Sequence, residues 1–265
     1  MKKEVIEIEK FSFSINDKKI LKNISLTVMK GEYISIVGPN GAGKTTLLKC
    51  LDRIYKGGVG SIKISGKPIE KYRQRELAQH VSYVPQADGN IPPFTVREFV
   101  MMGRYPYLNP FSSVNFSSNK KDEKTVQDAL SMTETLKFSE RFLSELSGGE
   151  RQKVFIAAAL VQEAEILLLD EPATFLDPKH EAGIYRLLAR ANREKGVTII
   201  SVTHDINSAV MTSRRILALK DGVSAFCGPA GDFMNNEILL KIYEKPFIFM
   251  KHPQTEKTIV APEAP

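Results

Sequence analysis

Tryptophan is missing from all 265 residues, and cysteine occurs only twice, at Cys50 and Cys227. Two cysteines so far apart form no C-x-x-C unit, so neither a disulfide framework nor a cysteine zinc site is signalled. Two buried, reduced thiols are expected. No run approaches the roughly 18 uninterrupted apolar residues of a membrane-spanning helix. The opening MKKEVIEIEK has no apolar signal-peptide core, so the chain is expected to stay in the cytosol. Blocks of five or six like charges are missing too, although the net charge is +6. Lys67, Lys71, Arg73 and Arg75 are interleaved with Glu70 and Glu76, while Lys120, Lys121 and Lys124 flank Asp122 and Glu123. These read as solvated faces. Without aromatic-basic alternation there is no stacking platform, and nucleic acid is not expected as a partner. A mildly basic surface suits equally well a place beside an anionic membrane leaflet.

What is present is ordinary for a soluble globular protein, with 42% hydrophobic and 26% charged residues. The length allows one large domain or two small ones. Short β-rich runs at 5–8, 24–28 and 33–37 lead into a glycine-rich segment, and residues 45–53 read as a helix. Further strand-like runs cover 62–64 and 81–84. From 95 to about 160 the pattern turns helical, with a polar break at 109–119. Strands and helices then alternate again: a strand at 166–169, a helix from Pro178, a strand at 197–202, a short helix after Asp205 and a hairpin over Asp221-Gly222. An α/β body (about 1–90 and 161–245) is therefore interrupted by a helical insert (about 91–160). Residues 250–265, polar and proline-containing, read as a poorly ordered tail.

Gly38-Pro39-Asn40-Gly41-Ala42-Gly43-Lys44-Thr45 fits G-x-x-x-x-G-K-[ST] between a predicted strand and a predicted helix that continues through Thr46. The glycines let backbone N–H groups surround a phosphate. The helix start adds positive potential, Lys44 reaches the β/γ-phosphates, and Thr45 ligates Mg²⁺. Ile166-Leu167-Leu168-Leu169-Asp170-Glu171 is an apolar strand ending in two acids, whose side chains point to opposite sides. Asp170 would hold the magnesium and Glu171 would polarise an attacking water, with Pro172 keeping Glu171 extended. Taken alone, a strand ending in two acids is weak; beside the phosphate loop it is strong.

Gln86 and His204 each follow a strand, where ligand-facing residues of parallel sheets gather, although taken singly a loop amide and a helix-capping neighbour explain them better. Asp177 before Pro178 can be an N-cap and nothing more. Ser147-Gly148-Gly149-Glu150 fits an S-x-x-E capping box, yet two glycines inside a helix start each cost up to about 1 kcal/mol relative to Ala. A second anion site at this helix start would explain them.

Together GPNGAGKTT, Gln86, LSGGERQ, ILLLDEP, FLDP and VTHD stand in the order and spacing of the ATP-binding subunits of ABC transporters, which the chain resembles over nearly its whole length. The resemblance implies a P-loop NTPase core with an antiparallel β subdomain and an inserted helical subdomain. It implies ATP and Mg²⁺ as ligands, with Thr45, Gln86 and Asp170 at the metal and Glu171 and His204 as catalytic groups. Ser147 to Glu150 become the signature motif, acting on the nucleotide of a second copy in a homodimer, and Asp177 becomes the D-loop acid. Membrane permease subunits, and indirectly a substrate-binding protein, are the implied partners, and the cytoplasmic face of the cell membrane is the implied location. Thr95-Val96-Arg97-Glu98 and Met102-Gly103-Arg104-Tyr105-Pro106-Tyr107 resemble importer ATPases for ferric siderophores, haem and cobalamin, although a helix ended by Gly and Pro reads the same way. An importer for zinc or manganese, or a soluble ABC ATPase, is the alternative. Three positions depart from the family pattern. Ile15 stands where an aromatic usually stacks on adenine, with Phe13 two residues away on the same face; Phe175 replaces a small or polar D-loop residue; and Ala158 stands where Arg is common.

Overall fold

A computed structural model describes residues 3–87, 89–108 and 120–263. The polar break at 109–119 lies outside the described residues. The chain begins with a long hairpin, β1 (Glu4–Ile15) and β2 (Lys18–Met29), turned at Asn16 and Asp17, both with positive φ. Such a two-residue turn matches the twist of its strands, and Asn and Asp tolerate it better than other side chains. Both strands run well past the segments expected from hydrophobic alternation. Their inward residues Ile6, Ile8, Phe11, Leu21, Ile24 and Val28 are buried in one cluster.

The strand β3 (Tyr33–Val37) leads to α1 (Lys44–Leu51). Next come β4 (Val59–Ile64), β5 (Lys67–Pro68), α2 (Gln74–Leu77) and β6 (Val81–Val84). Three helices follow, α3 (Val96–Met102), α4 (Lys120–Met132) and α5 (Gly148–Leu160). The body resumes with β7 (Ile166–Asp170), α6 (Pro178–Lys195), β8 (Thr198–Val202) and α7 (Ile206–Thr212). It continues through β9 (Arg215–Lys220), β10 (Val223–Pro229), α8 (Ala230–Phe233) and α9 (Asn236–Tyr243) to β11 (Phe247–Lys251) and β12 (Thr258–Pro262).

One antiparallel sheet has the order β2-β1-β4-β5, and a six-stranded sheet has the order β10-β9-β3-β8-β7-β6. The strands from β9 to β6 are parallel, and β10 closes the edge antiparallel through the Asp221-Gly222 turn. Every residue of β3, β7 and β8 is buried, which explains why these strands are continuous apolar runs rather than alternating ones. Parallel order also brings the carboxyl ends of β3, β6, β7 and β8 to one edge of the sheet, where open α/β sheets carry their ligands.

The helices α3, α4 and α5 form a separate core around Val96, Val100, Val126, Leu130, Val154 and Ala157. Arg104, in the G-R-Y-P string, is 2% exposed and ties this core together. It donates to Asp122 Oδ1 at 2.8 Å, to the Val161 carbonyl at 2.8 Å and to Glu163 at 2.6 Å, beneath the Tyr107 ring. A buried guanidinium is tolerated because each of these partners compensates its lost hydration.

Two expectations fail. Residues 250–265 are not simply a loose tail, because 258–262 pair with 247–251 and Val260 is buried against α7. The apolar runs Phe247–Lys251 and Thr258–Pro262 carried that signal, but no two-residue turn sequence linked them. Cys227, expected to be buried, is exposed on the edge strand β10, while Cys50 is buried as expected. Among the described residues no helix is long and apolar enough to cross a membrane.

Candidate active site

Gly38 begins the loop between β3 and α1 with φ of 140°, and a Cβ there would lie 2.0 Å from the Leu219 carbonyl oxygen. Only glycine fits so close to the neighbouring strand. The loop ends at Gly43, and α1 starts with no side-chain cap and no acidic residue in its first turn. Its first N–H groups, at Lys44, Thr45 and Thr46, are therefore free of a competing carboxylate, as an anion site at a helix start requires. Lys44 is 6% exposed. Its ammonium donates to the Gly38 carbonyl at 2.8 Å and the Pro39 carbonyl at 3.0 Å. Burial lowers its pKa, and the charges of Glu171 and Asp170 oppose that shift.

The two acids at the end of β7 have separate surroundings. Asp170 is 2% exposed and accepts from Thr45 Oγ1 at 3.0 Å and from the Tyr83 hydroxyl at 3.3 Å. Its pKa is raised, chiefly by burial, against the lowering effect of those two hydrogen bonds. Glu171 Oε2 accepts from Gln86 Nε2 at 3.1 Å and Thr174 Oγ1 at 2.9 Å, with His204 Nδ1 3.5 Å away. Asn40, Gln86, Glu171, Thr174, Phe175 and His204 share one cavity of about 890 Å³.

Glu171 is not held extended by Pro172 as the sequence suggested; its φ is 49°. Its N–H still bonds to the Val202 carbonyl at 3.0 Å, and its own carbonyl accepts from the Thr174 N–H at 3.3 Å. The strand thus ends by turning sharply at Glu171. A non-glycine residue held in this sparsely populated region stores strain, a feature that clusters at functional sites. Phe175 has a φ of 64° and is 88% exposed on the same turn.

Ser147 to Glu150 do not line this cavity. Ser147 caps α5 in a full capping box: its Oγ accepts from the Glu150 N–H at 3.3 Å, and Glu150 Oε2 accepts from the Ser147 N–H at 3.0 Å. The two glycines differ. A Cβ on Gly149 would strike Cδ2 of His180 at 2.4 Å, whereas on Gly148 it would meet only Leu176, at 3.8 Å. Packing alone accounts for Gly149, which corrects the idea that both glycines need an anion. Gly148 is exposed and remains without an internal reason.

Asp177 is the N-cap of α6, accepting from the Lys179 and His180 N–H groups at 2.9 and 3.0 Å. Its other oxygen meets the His180 ring, which lowers its pKa. Phe13 is 8% exposed and stacks on Tyr55, with ring centroids 5.6 Å apart, whereas Ile15 is 37% exposed. Tyr83 and Thr174 escaped the sequence reading. A tyrosine inside an apolar strand was the available signal, because its hydroxyl needs a partner when buried.

The ABC transporter family matches residues 21–174. The chain is 35% identical over 254 residues to the iron(3+)-hydroxamate import ATP-binding protein FhuC of Bacillus subtilis (strain 168), covering 96% of this chain and 93% of that one. It is 34% identical over 248 residues to the hemin import ATP-binding protein HmuV of Streptomyces coelicolor, covering 94% and 86%. Among solved structures, the dimeric post-hydrolysis ATP-binding cassette MJ0796 bound to ADP and phosphate superposes with a TM-score of 0.71 at 31% identity, covering 85% of this chain and 98% of that one. A family match over more than half the chain, joined to relatives above 30% identity along nearly all of it, means that the chain belongs to the ABC transporter family and is one of its ATP-hydrolysing cassettes.

Proposed function

We propose that this chain energises the import of an iron chelate, haem or cobalamin, sitting on the cytoplasmic face of the cell membrane as a homodimer against permease subunits that a substrate-binding protein serves. The convergence of Gln86, Thr174 and His204 on one oxygen of Glu171, beside the phosphate loop, carries the catalytic part of this reading. The names of the relatives, hydroxamate and hemin importers, support the cargo.

ATP lies along Gly38 to Thr46, with Lys44 leaving the loop carbonyls to reach the β/γ-phosphates. Thr45, Asp170 and Gln86 would hold Mg²⁺. Their donor atoms suit it: Thr45 Oγ1 and Asp170 Oδ1 are already 3.0 Å apart, and Mg²⁺ is usually bound by one or two carboxylates together with substrate phosphates. When bound, it would neutralise charge on the phosphate oxygens. Among the described residues no cluster of three His, Cys, Asp or Glu competes as a metal site. Glu171 Oε2 accepts the proton of the attacking water, and His204 contacts the γ-phosphate. Gln86, which donates to Glu171, senses the permease subunit. Ile15 provides apolar contact to adenine, since Phe13 is covered by Tyr55.

Ser147 and Gly148, exposed at the start of α5 and outside their own chain's cavity, close on the nucleotide of the second copy. Ser147→Ala should therefore bind MgATP normally yet fail to hydrolyse it. Glu171→Gln should lower turnover by about 100-fold or more, the scale of a lost general base, and accumulate a closed dimer. A Glu171→Gln chain that stays monomeric at saturating MgATP refutes the water-activating role. For the cargo, the chain with its copurifying permease is reconstituted in proteoliposomes, and hydrolysis is measured with binding protein loaded with ferric hydroxamate or haem. Stimulation only by zinc- or manganese-loaded binding protein overturns the cargo, and recovery with ribosomes or nucleic acid instead of a permease overturns the transporter reading.

A further inference from the structure

The hairpin β11–β12 grips the short helix that follows His204. Asn207, in the first turn of α7, uses its side-chain amide like a strand: Nδ2 donates to the Val260 carbonyl at 2.9 Å and Oδ1 accepts from the Val260 N–H at 2.8 Å. At the other end of α7, Lys257 Nζ donates to the carbonyls of Val210 and Met211 at 3.3 and 3.2 Å. A cation there satisfies orphan carbonyls and complements the helix dipole. Between these contacts, Val260 is buried among Ile206, Ala209 and Val210. The hairpin thus holds α7 at both ends and along its middle. α7 also packs on β3, β9 and α8, and Glu181 and Tyr185 of α6 reach Ser208 in its first turn.

A helix of seven residues is not stable by itself and takes its position from what packs on it. His204 stands two residues before α7, and its Nδ1 is 3.5 Å from Glu171 Oε2. That separation is at the limit of a useful contact, so a small rotation of α7 would open it.

We propose that the C-terminal hairpin is a strap that sets the position of His204 through α7, with Asn207 as the positioning residue. This rests on the reading of His204 as a catalytic group. The strap holds no nucleotide, so its loss acts on the chemical step. A displacement of about 1 Å at a reacting group can slow a reaction by up to about 100-fold.

The test uses the full chain. Asn207→Ala should bind MgATP with unchanged affinity, measured with a fluorescent ATP analogue, while kcat falls about tenfold or more. The same substitution in a His204→Ala background should have no further effect on kcat, because the strap acts only through that side chain. Lys257→Met, at the surface end of α7, should show a smaller fall that His204→Ala also cancels, and it decides the matter if Asn207→Ala does not fold. Wild-type kcat in both strap variants, or a fall that persists undiminished without His204, overturns the proposal. If His204→Ala itself retains full kcat, the catalytic reading fails instead.

Discussion

Replacing Gly149 by Ala puts a Cβ 2.4 Å from Cδ2, 2.5 Å from Cγ and 2.8 Å from Cβ of His180. The ring cannot simply swing away, because its Nδ1 is bonded to Asp177 and the nearest clash extends to the His180 Cβ, close to the α6 backbone. Relief requires α5 and α6 to part or the Asp177 contact to break. Overpacking of this kind costs about 1–3 kcal/mol, and the gain of Ala over Gly in a helix offsets up to about 1 kcal/mol of it. A net loss of roughly 1–2 kcal/mol corresponds to a Tm lower by about 2–8 °C in a domain of this size. Thermal and urea unfolding without nucleotide measure it. Gly148→Ala is the control: its Cβ meets only Leu176 at 3.8 Å, so stability should hold while hydrolysis falls. In a His180→Ala background Gly149→Ala should cost less, since two of the three clashing atoms are gone. A Gly149→Ala chain as stable as wild type, or an undiminished cost without the ring, refutes the packing account.

Burial pushes the Asp52 carboxyl, at the end of α1, up to about 7. The folded chain then keeps a proton that the unfolded chain releases near pH 4, so stability should fall as pH rises from about 4 to about 7. Asp52→Asn should flatten that slope and raise stability at pH 8 by on the order of 1–3 kcal/mol; an unchanged difference between urea midpoints at pH 5 and pH 8 speaks against it. Tyr83→Phe removes the hydroxyl 3.3 Å from Asp170, so Mg²⁺ should bind several-fold more weakly, read from Mn²⁺ competition by EPR, with little loss of stability. Lys44→Ala should abolish ATP binding or hydrolysis, and near wild-type turnover would remove the loop's assignment.

Local chemistry made much of this protein legible before any coordinates. The G-x-x-x-x-G-K-T loop, the capping box at Ser147 and the Asp177-Pro178 helix start are short-range patterns whose physics lies within a few residues. The buried strands β3, β7 and β8 declared themselves as apolar runs ending beside polar residues. Pairing at long range is less visible: the runs at 5–8 and 24–28 mark only parts of β1 and β2, and residues 250–265 read as a tail, because a short apolar or alternating run marks a strand but not its length or its partner.

The sequence by itself determined which residues can cradle phosphate, accept a proton and cap helices, since those properties belong to side chains and their near neighbours. Only the tertiary structure decided that Gln86 and His204, far apart in the chain, meet beside Thr174 on one oxygen of Glu171. It alone showed that Gly149 yields to His180, that Glu171 turns left-handed at the end of β7, and that the last strand reaches back to the helix after His204. The long-range contacts among these depend on excluded volume or hydrogen bonding between segments that only the folded chain brings within contact distance.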